Sequence, residues 1–135
     1  MSDTGTRPST SLWPTLCYSD APAAIRFLVE AFGFEETAVY PGEAEGSIVH
    51  AELRWPGGGG VMLGSVLKDS VIADLPSGTG SIYVVTEEPD ALYERARAAG
   101  ATVVRGLRDE DYGSRGFTVR DPEGVFWSFG TYAGA

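Results

Sequence analysis

The sequence predicts an α+β fold of two βαβββ modules, and two observations carry that prediction. A helix-type segment occurs twice at an offset of 67 residues, and the second copy leads into a strand–turn–strand unit near the end of the chain. In the repeat, Ser19 aligns with Thr86, Asp20 with Glu87, Pro22 with Pro89, Ala24 with Ala91, Ala31 with Ala98 and Gly33 with Gly100. Each copy reads as a capping residue, a proline in the first turn, a helix, and a glycine where a left-handed C′ residue belongs.

In chain order, Leu12–Tyr18 reads as the opening strand and Ser19–Gly33 as the first helix. Ile25, Leu28, Val29 and Phe32 share one face of that helix at its 3.6-residue period. Strands follow over Glu36–Tyr40, Ser47–Trp55 and Val61–Val66. The second module repeats the order: strand Ser81–Thr86, a helix with Leu92, Ala96 and Ala99 on one face, then strands Thr102–Arg105, Phe117–Arg120 and Val125–Thr131. Phe117 and Val119 share one strand face, Thr118 and Arg120 the other. Asp121-Pro122-Glu123-Gly124 is a turn, because Pro122 presets its φ and Gly124 tolerates positive φ. Pro56 to Gly60 fills the same place in the first module. Its glycine run lacks the Lys-Ser/Thr ending and the following helix of a phosphate loop, and reads as a hairpin turn.

The 135 residues make one domain, spanning 11–135, with module 1 over about 11–67 and module 2 over about 80–132. Residues 1–10 are polar and aperiodic and read as a flexible tail. A net charge of −9, with no basic stripe, excludes a nucleic-acid partner. Cys17 is the single cysteine, so no intrachain disulfide forms. No apolar run approaches the ~20 residues of a membrane span and no signal peptide opens the chain, so a cytoplasmic protein is expected.

The stretch Asp111 to Gly130, with Tyr112-Gly113-Ser114-Arg115 and Asp121–Gly124, resembles the last hairpin of the vicinal oxygen chelate superfamily. That group includes glyoxalase I, extradiol dioxygenases, fosfomycin resistance enzymes and bleomycin resistance proteins. The resemblance covers Ser11 to Tyr132. It implies curved mixed sheets around a cavity, helices outside, and a homodimer.

Family enzymes hold a divalent metal with His, Glu or Gln on four strands. The resemblance places those positions on Trp13, on Ser81, on Ser128 and within Val61–Leu63. None supplies a carboxylate or imidazole. No metal and no cofactor is expected. The nearest likeness is therefore to the metal-free bleomycin resistance proteins, which sequester a drug between two subunits. The chain departs from the family at Trp13-Pro14.

Family parity also gives the inward faces: Trp13, Thr15 and Cys17; Ser81, Tyr83 and Val85; Phe126, Ser128 and Gly130. An aromatic lining with a few hydroxyls suits a planar organic molecule, aromatic or cationic. Tyr112 would add a stacking lid. The bland alternative is that these aromatics fill the cavity themselves. His50 and Glu52 share a strand face. They are either a proton-transfer couple in the cavity or a solvent-facing row opposite a core of Val49, Ala51 and Leu53. Cys17 reads as a small buried residue, since no adjacent base activates it.

The expected function is small-molecule binding without a metal, in the manner of antibiotic sequestration. The ligand-binding candidates are Trp13, Cys17, His50, Glu52, Tyr83, Tyr112, Phe126 and Ser128. The alternative is an enzyme of the same superfamily, of lyase, isomerase or dioxygenase type. It would use a metal site not recognised in these positions, or His50 and Glu52 as acid and base.

Overall fold

A computed structural model describes residues 11–66 and 75–134. Module 1 runs β1 (Thr15–Tyr18), α1 (Ala21–Phe27), β2 (Glu35–Pro41), β3 (Ile48–Arg54) and β4 (Gly60–Ser65). Module 2 runs β5 (Ser81–Val85), α2 (Pro89–Ala98), β6 (Thr102–Asp109), β7 (Arg115–Arg120) and β8 (Phe126–Gly130). The two sheets have matching orders, β1-β4-β3-β2 in sheet A and β5-β8-β7-β6 in sheet B. In each, the first strand pairs parallel with the last and the other pairs are antiparallel. The predicted repeat is thus realised as two mixed four-stranded sheets. The tail expected over residues 1–10 lies outside the described residues. No described helix is long and apolar enough to cross a membrane.

Pro22 and Pro89 lie in the first turns as predicted, and Asp20 caps α1 by accepting from Ala23 N–H at 3.2 Å, but the N-cap of α2 is Glu88, whose side chain makes no capping hydrogen bond. α1 then widens into a π-helical turn, Leu28–Phe32, which ends at Gly33 with φ 89°. Along α2, Leu92 and Ala96 are buried, but Ala99 is exposed. The helix stops at Ala98, so Ala99 is the C-cap and does not continue the apolar face.

β3 departs from simple alternation as well. Ala51 and Leu53 are in the core, whereas Val49 is exposed and Ile48 is buried. Tyr40 pairs with His50 but Pro41 pairs with Ile48. This one-residue bulge reverses the parity of the strand's first residues.

One continuous core lies between the helices and the inner faces of both sheets. Phe32 from the π turn meets Trp127 and Phe129 of sheet B at centroid distances of 5.3 and 4.8 Å. Phe34 bridges Trp55 and Trp127. Such aromatic pairs add about 0.5–1.5 kcal/mol each beyond the area they bury. Module 2 also holds both ends of the first helix. The Glu123 carboxylate accepts from the N–H groups of Ser19 and Asp20 at 2.7 and 2.8 Å. At the other end, Arg95 donates to the carbonyls of Glu30 and Val29 at 2.9 and 3.2 Å.

Candidate small-molecule binding site

The faces turned away from the helices are open, and the registers say which side chains share them. On sheet B one cross-strand row runs Tyr83–Ser128–Thr118–Arg105. A flanking row holds Ser81, Phe126 and Arg120, the other Val85, Gly130 and Gly116. On sheet A, Thr15, Met62, Glu52 and Ala38 form one row, while Cys17 pairs with Gly64 and His50 with Tyr40.

A cavity of about 170 Å³ sits on the open face of sheet B, lined by Tyr83, Arg105, Glu110, Tyr112, Thr118 and Ser128 among others. Its floor is low where Gly116 pairs with Gly130. A Cβ on Gly130 would lie 2.7 Å from the Tyr83 hydroxyl. Thr118 and Ser128 share a hydrogen bond of 2.8 Å. The hydroxyl that accepts it keeps its own O–H to donate. Tyr83 donates to the Tyr132 carbonyl at 2.7 Å, so towards a ligand its oxygen acts as an acceptor. Tyr112 stands edge-on to Tyr132 at 5.9 Å and is 65% exposed, on the rim. Glu110 accepts from Arg108 Nε at 2.8 Å, and that bond holds its carboxyl below the ordinary value.

A second, larger cavity of about 810 Å³ lies along the free edge of β5. It runs against the Gly57–Gly60 turn, Leu12, Pro14 and Trp55, and includes Tyr83 and Val85.

The eight predicted ligand residues therefore divide. Tyr83, Tyr112 and Ser128 line the smaller cavity. Phe126 is on the same sheet one row away, 38% exposed, with the Arg120 guanidinium 4.9 Å from its ring centre. Trp13, Cys17, His50 and Glu52 belong to module 1 and line neither cavity. Trp13 packs at the end of sheet A, 5.9 Å from Arg54, where a Cβ on Gly60 would meet its ring at 2.9 Å. Cys17 is half-buried. His50 Nε2 and Glu52 Oε2 are 2.9 Å apart, both partly exposed, with Tyr40 stacked on the imidazole. They lie opposite Ala51 and Leu53, on the same face as Thr15 and Met62.

Sequence reading missed Arg105, Glu110 and Thr118. Thr118 was within reach, because the Asp121–Gly124 turn fixes its pairing with Ser128. Arg105 was not, since bulges on both sides of it break the alternation of β6.

The residues that the resemblance places at the family's metal positions do not fit a divalent cation. Val61 and Leu63 are buried in the core and Met62 faces out. Ser81 is exposed, and Ser128 is engaged with Thr118. Among the described residues no three His, Cys, Asp or Glu side chains converge.

Comparisons with known proteins agree with the fold. The sequence pattern of the Glyoxalase/Bleomycin resistance protein/Dioxygenase superfamily matches residues 11–129. An uncharacterized protein of Mycobacterium tuberculosis H37Rv is 37% identical over 126 residues, covering 89% of this chain and 73% of the relative. The crystal structure of TioX from Micromonospora sp. ML1 superposes with a TM-score of 0.76 at 33% identity, over 90% of this chain and 98% of that one. A glyoxalase/bleomycin resistance protein from Streptomyces sp. CB03234 shares the fold with a TM-score of 0.69 at 24% identity, over 90% and 98%. With two matched βαβββ modules and a family pattern spanning nearly the whole chain, this protein belongs to the glyoxalase/bleomycin resistance protein/dioxygenase superfamily.

Proposed function

We propose that this protein is a metal-independent binder of a small aromatic molecule, acting in the cytoplasm by sequestration, with antibiotics as the ligand class. The observation that carries the reading is the open face of sheet B. It presents Tyr83, Tyr112 and Phe126 beside the Thr118–Ser128 hydroxyl pair, where metal-dependent relatives would need carboxylates and imidazoles. Exposed rings offer stacking and area burial, and hydroxyls fix orientation.

A cavity of about 170 Å³ is smaller than the ~300–1,000 Å³ of a drug-sized site. The remainder would come from a second copy. The module 1 candidates Trp13, Cys17, His50 and Glu52 would complete the site if sheet A of one protomer covered sheet B of its partner. A homodimer is part of the proposal for that reason.

The test is a melting-temperature screen with bleomycin and planar aromatic antibiotics, followed by titration of the best stabiliser. Phe126→Ala should weaken binding by about 1–3 kcal/mol, one stacking partner and its buried area. Elemental analysis of protein purified without chelator should find far less than one zinc, nickel, iron or manganese per chain. One metal per chain, or no stabiliser in the screen, overturns the reading.

The His50–Glu52 hydrogen bond favours a second reading, acid–base catalysis on sheet A. Under it His50→Ala abolishes turnover. Under sequestration it alters affinity less than Phe126→Ala does.

A further inference from the structure

The charged groups lining the cavity on sheet B are one guanidinium, Arg105, and one carboxylate, Glu110. Two guanidinium groups, Arg105 and Arg108, face one carboxylate, Glu110. Glu110 is committed to Arg108, with Nε–Oε2 at 2.8 Å, whereas Arg105 approaches it only to 3.7 Å, beyond hydrogen-bonding distance. Nearby, Arg115 is paired with Asp90 and Asp109 at 2.9 and 3.3 Å. Among the described residues Arg105 is thus the guanidinium of this group without a hydrogen-bonded carboxylate, and it stands at the end of the row Arg105–Thr118–Ser128–Tyr83. The row offers a planar fork of N–H donors next to a hydroxyl pair with one O–H still to give. Its volume, about 170 Å³, matches a single aromatic ring, since an engineered cavity of about 150 Å³ holds benzene.

We propose that this cavity takes an aromatic carboxylate. The carboxylate lies against Arg105 and Thr118, and the ring lies over Gly116 and Gly130, towards Tyr83 and Tyr112. The inference rests on the small-molecule reading above and specifies the ligand chemistry of that same site.

Three probes of one shape separate the possibilities: benzoate, benzamide and benzylamine, titrated into the full chain and followed by amide chemical shifts. Benzoate should bind about tenfold more tightly than benzamide, with benzylamine weakest, because only the anion offers two charged oxygens to the Arg105 fork. The shifts should centre on Thr118, Ser128 and Gly130. Arg105→Gln should bring benzoate down to the affinity of benzamide and so remove the preference for the anion. Arg105→Lys should keep part of the preference, retaining the charge without the fork. Equal or tighter binding of benzamide or benzylamine overturns the proposal. So does unchanged benzoate affinity in Arg105→Gln, or a set of shifts centred on Gly57–Gly60. If benzoate fails to bind while a planar antibiotic stabilises the protein, the anion site falls and small-molecule binding stands. If neither binds, both fall.

Discussion

Five donors converge on the side chain of Asp121, which is 4% exposed. Oδ2 accepts from the Tyr18 hydroxyl at 2.6 Å and the Trp127 indole N–H at 3.0 Å. Oδ1 accepts from the N–H groups of Glu123, Gly124 and Val125 at 3.1, 3.0 and 3.1 Å. The aspartate thus shapes its own turn and also ties β1 of module 1 to β8 of module 2. Asp121→Ala strands several buried donors, each costing about 1–3 kcal/mol when left unpaired. A loss of at least about 3 kcal/mol is expected in urea denaturation, and an unchanged midpoint would contradict it. The same contact sets an alkaline limit. Burial, then the charge of Asp121, pushes the Tyr18 phenol well above its ordinary value. A raised folded value means that this contribution is complete below the unfolded phenol's pKa, about 10, and is lost as pH rises beyond it. Stability measured from pH 8 to 11 should therefore decline above about pH 10. Tyr18→Phe should be less stable at pH 8 and show a shallower alkaline decline. Parallel curves for the two proteins would refute the assignment.

At the level of elements, α1 is a helix clamped from outside its own module. Glu123 satisfies N–H groups at its start, and Arg95 satisfies the carbonyls of its π turn. Helix ends leave such groups unpaired, so these contacts fix where the element begins and stops. Gly33 and Gly100 occupy equivalent C-terminal positions with φ 89° and 96°. Alanine at either position incurs the left-handed penalty of about 1–2 kcal/mol. Their surroundings differ: a Cβ at Gly33 would lie 3.1 Å from the Arg95 guanidinium, while Gly100 has open space. Gly33→Ala should cost more than Gly100→Ala in thermal unfolding, and Arg95→Ala should remove the excess. Equal costs in the wild-type background would show that the side chain yields freely.

Across the whole molecule, each sheet covers one face with helix and leaves the other open, and Tyr83 on that open face is 48% exposed. Among the described residues both sheets also end in unpaired edge strands, β1 and β2 in one, β5 and β6 in the other. Edges and apolar faces of this kind are stabilised by pairing with another chain. Light scattering at micromolar concentration should give twice the mass of one chain. A monomer would remove the second copy from the proposed site and leave sheet B to bind alone.

The two-module architecture was legible because its signals are local. Pro22 and Pro89 set helix starts, Gly33 and Gly100 set helix ends, and Asp121–Gly124 folds a hairpin through its own turn chemistry. The face assignment of Phe117, Thr118, Val119 and Arg120 followed from strand alternation. Alternation failed wherever a bulge intervened, as at Val49 and on either side of Arg105. Asp121 read as a turn residue, but its role between modules depends on Tyr18, 103 residues away, which no local pattern encodes. The candidate site was divided for the same reason. The family resemblance and strand parity proposed eight ligand residues, and only the arrangement of two sheets decided that Tyr83, Tyr112 and Ser128 share a cavity with Arg105 while Trp13, Cys17, His50 and Glu52 do not. Local periodicity determines which face of a strand a residue occupies. Register and packing between distant segments determine what it faces there.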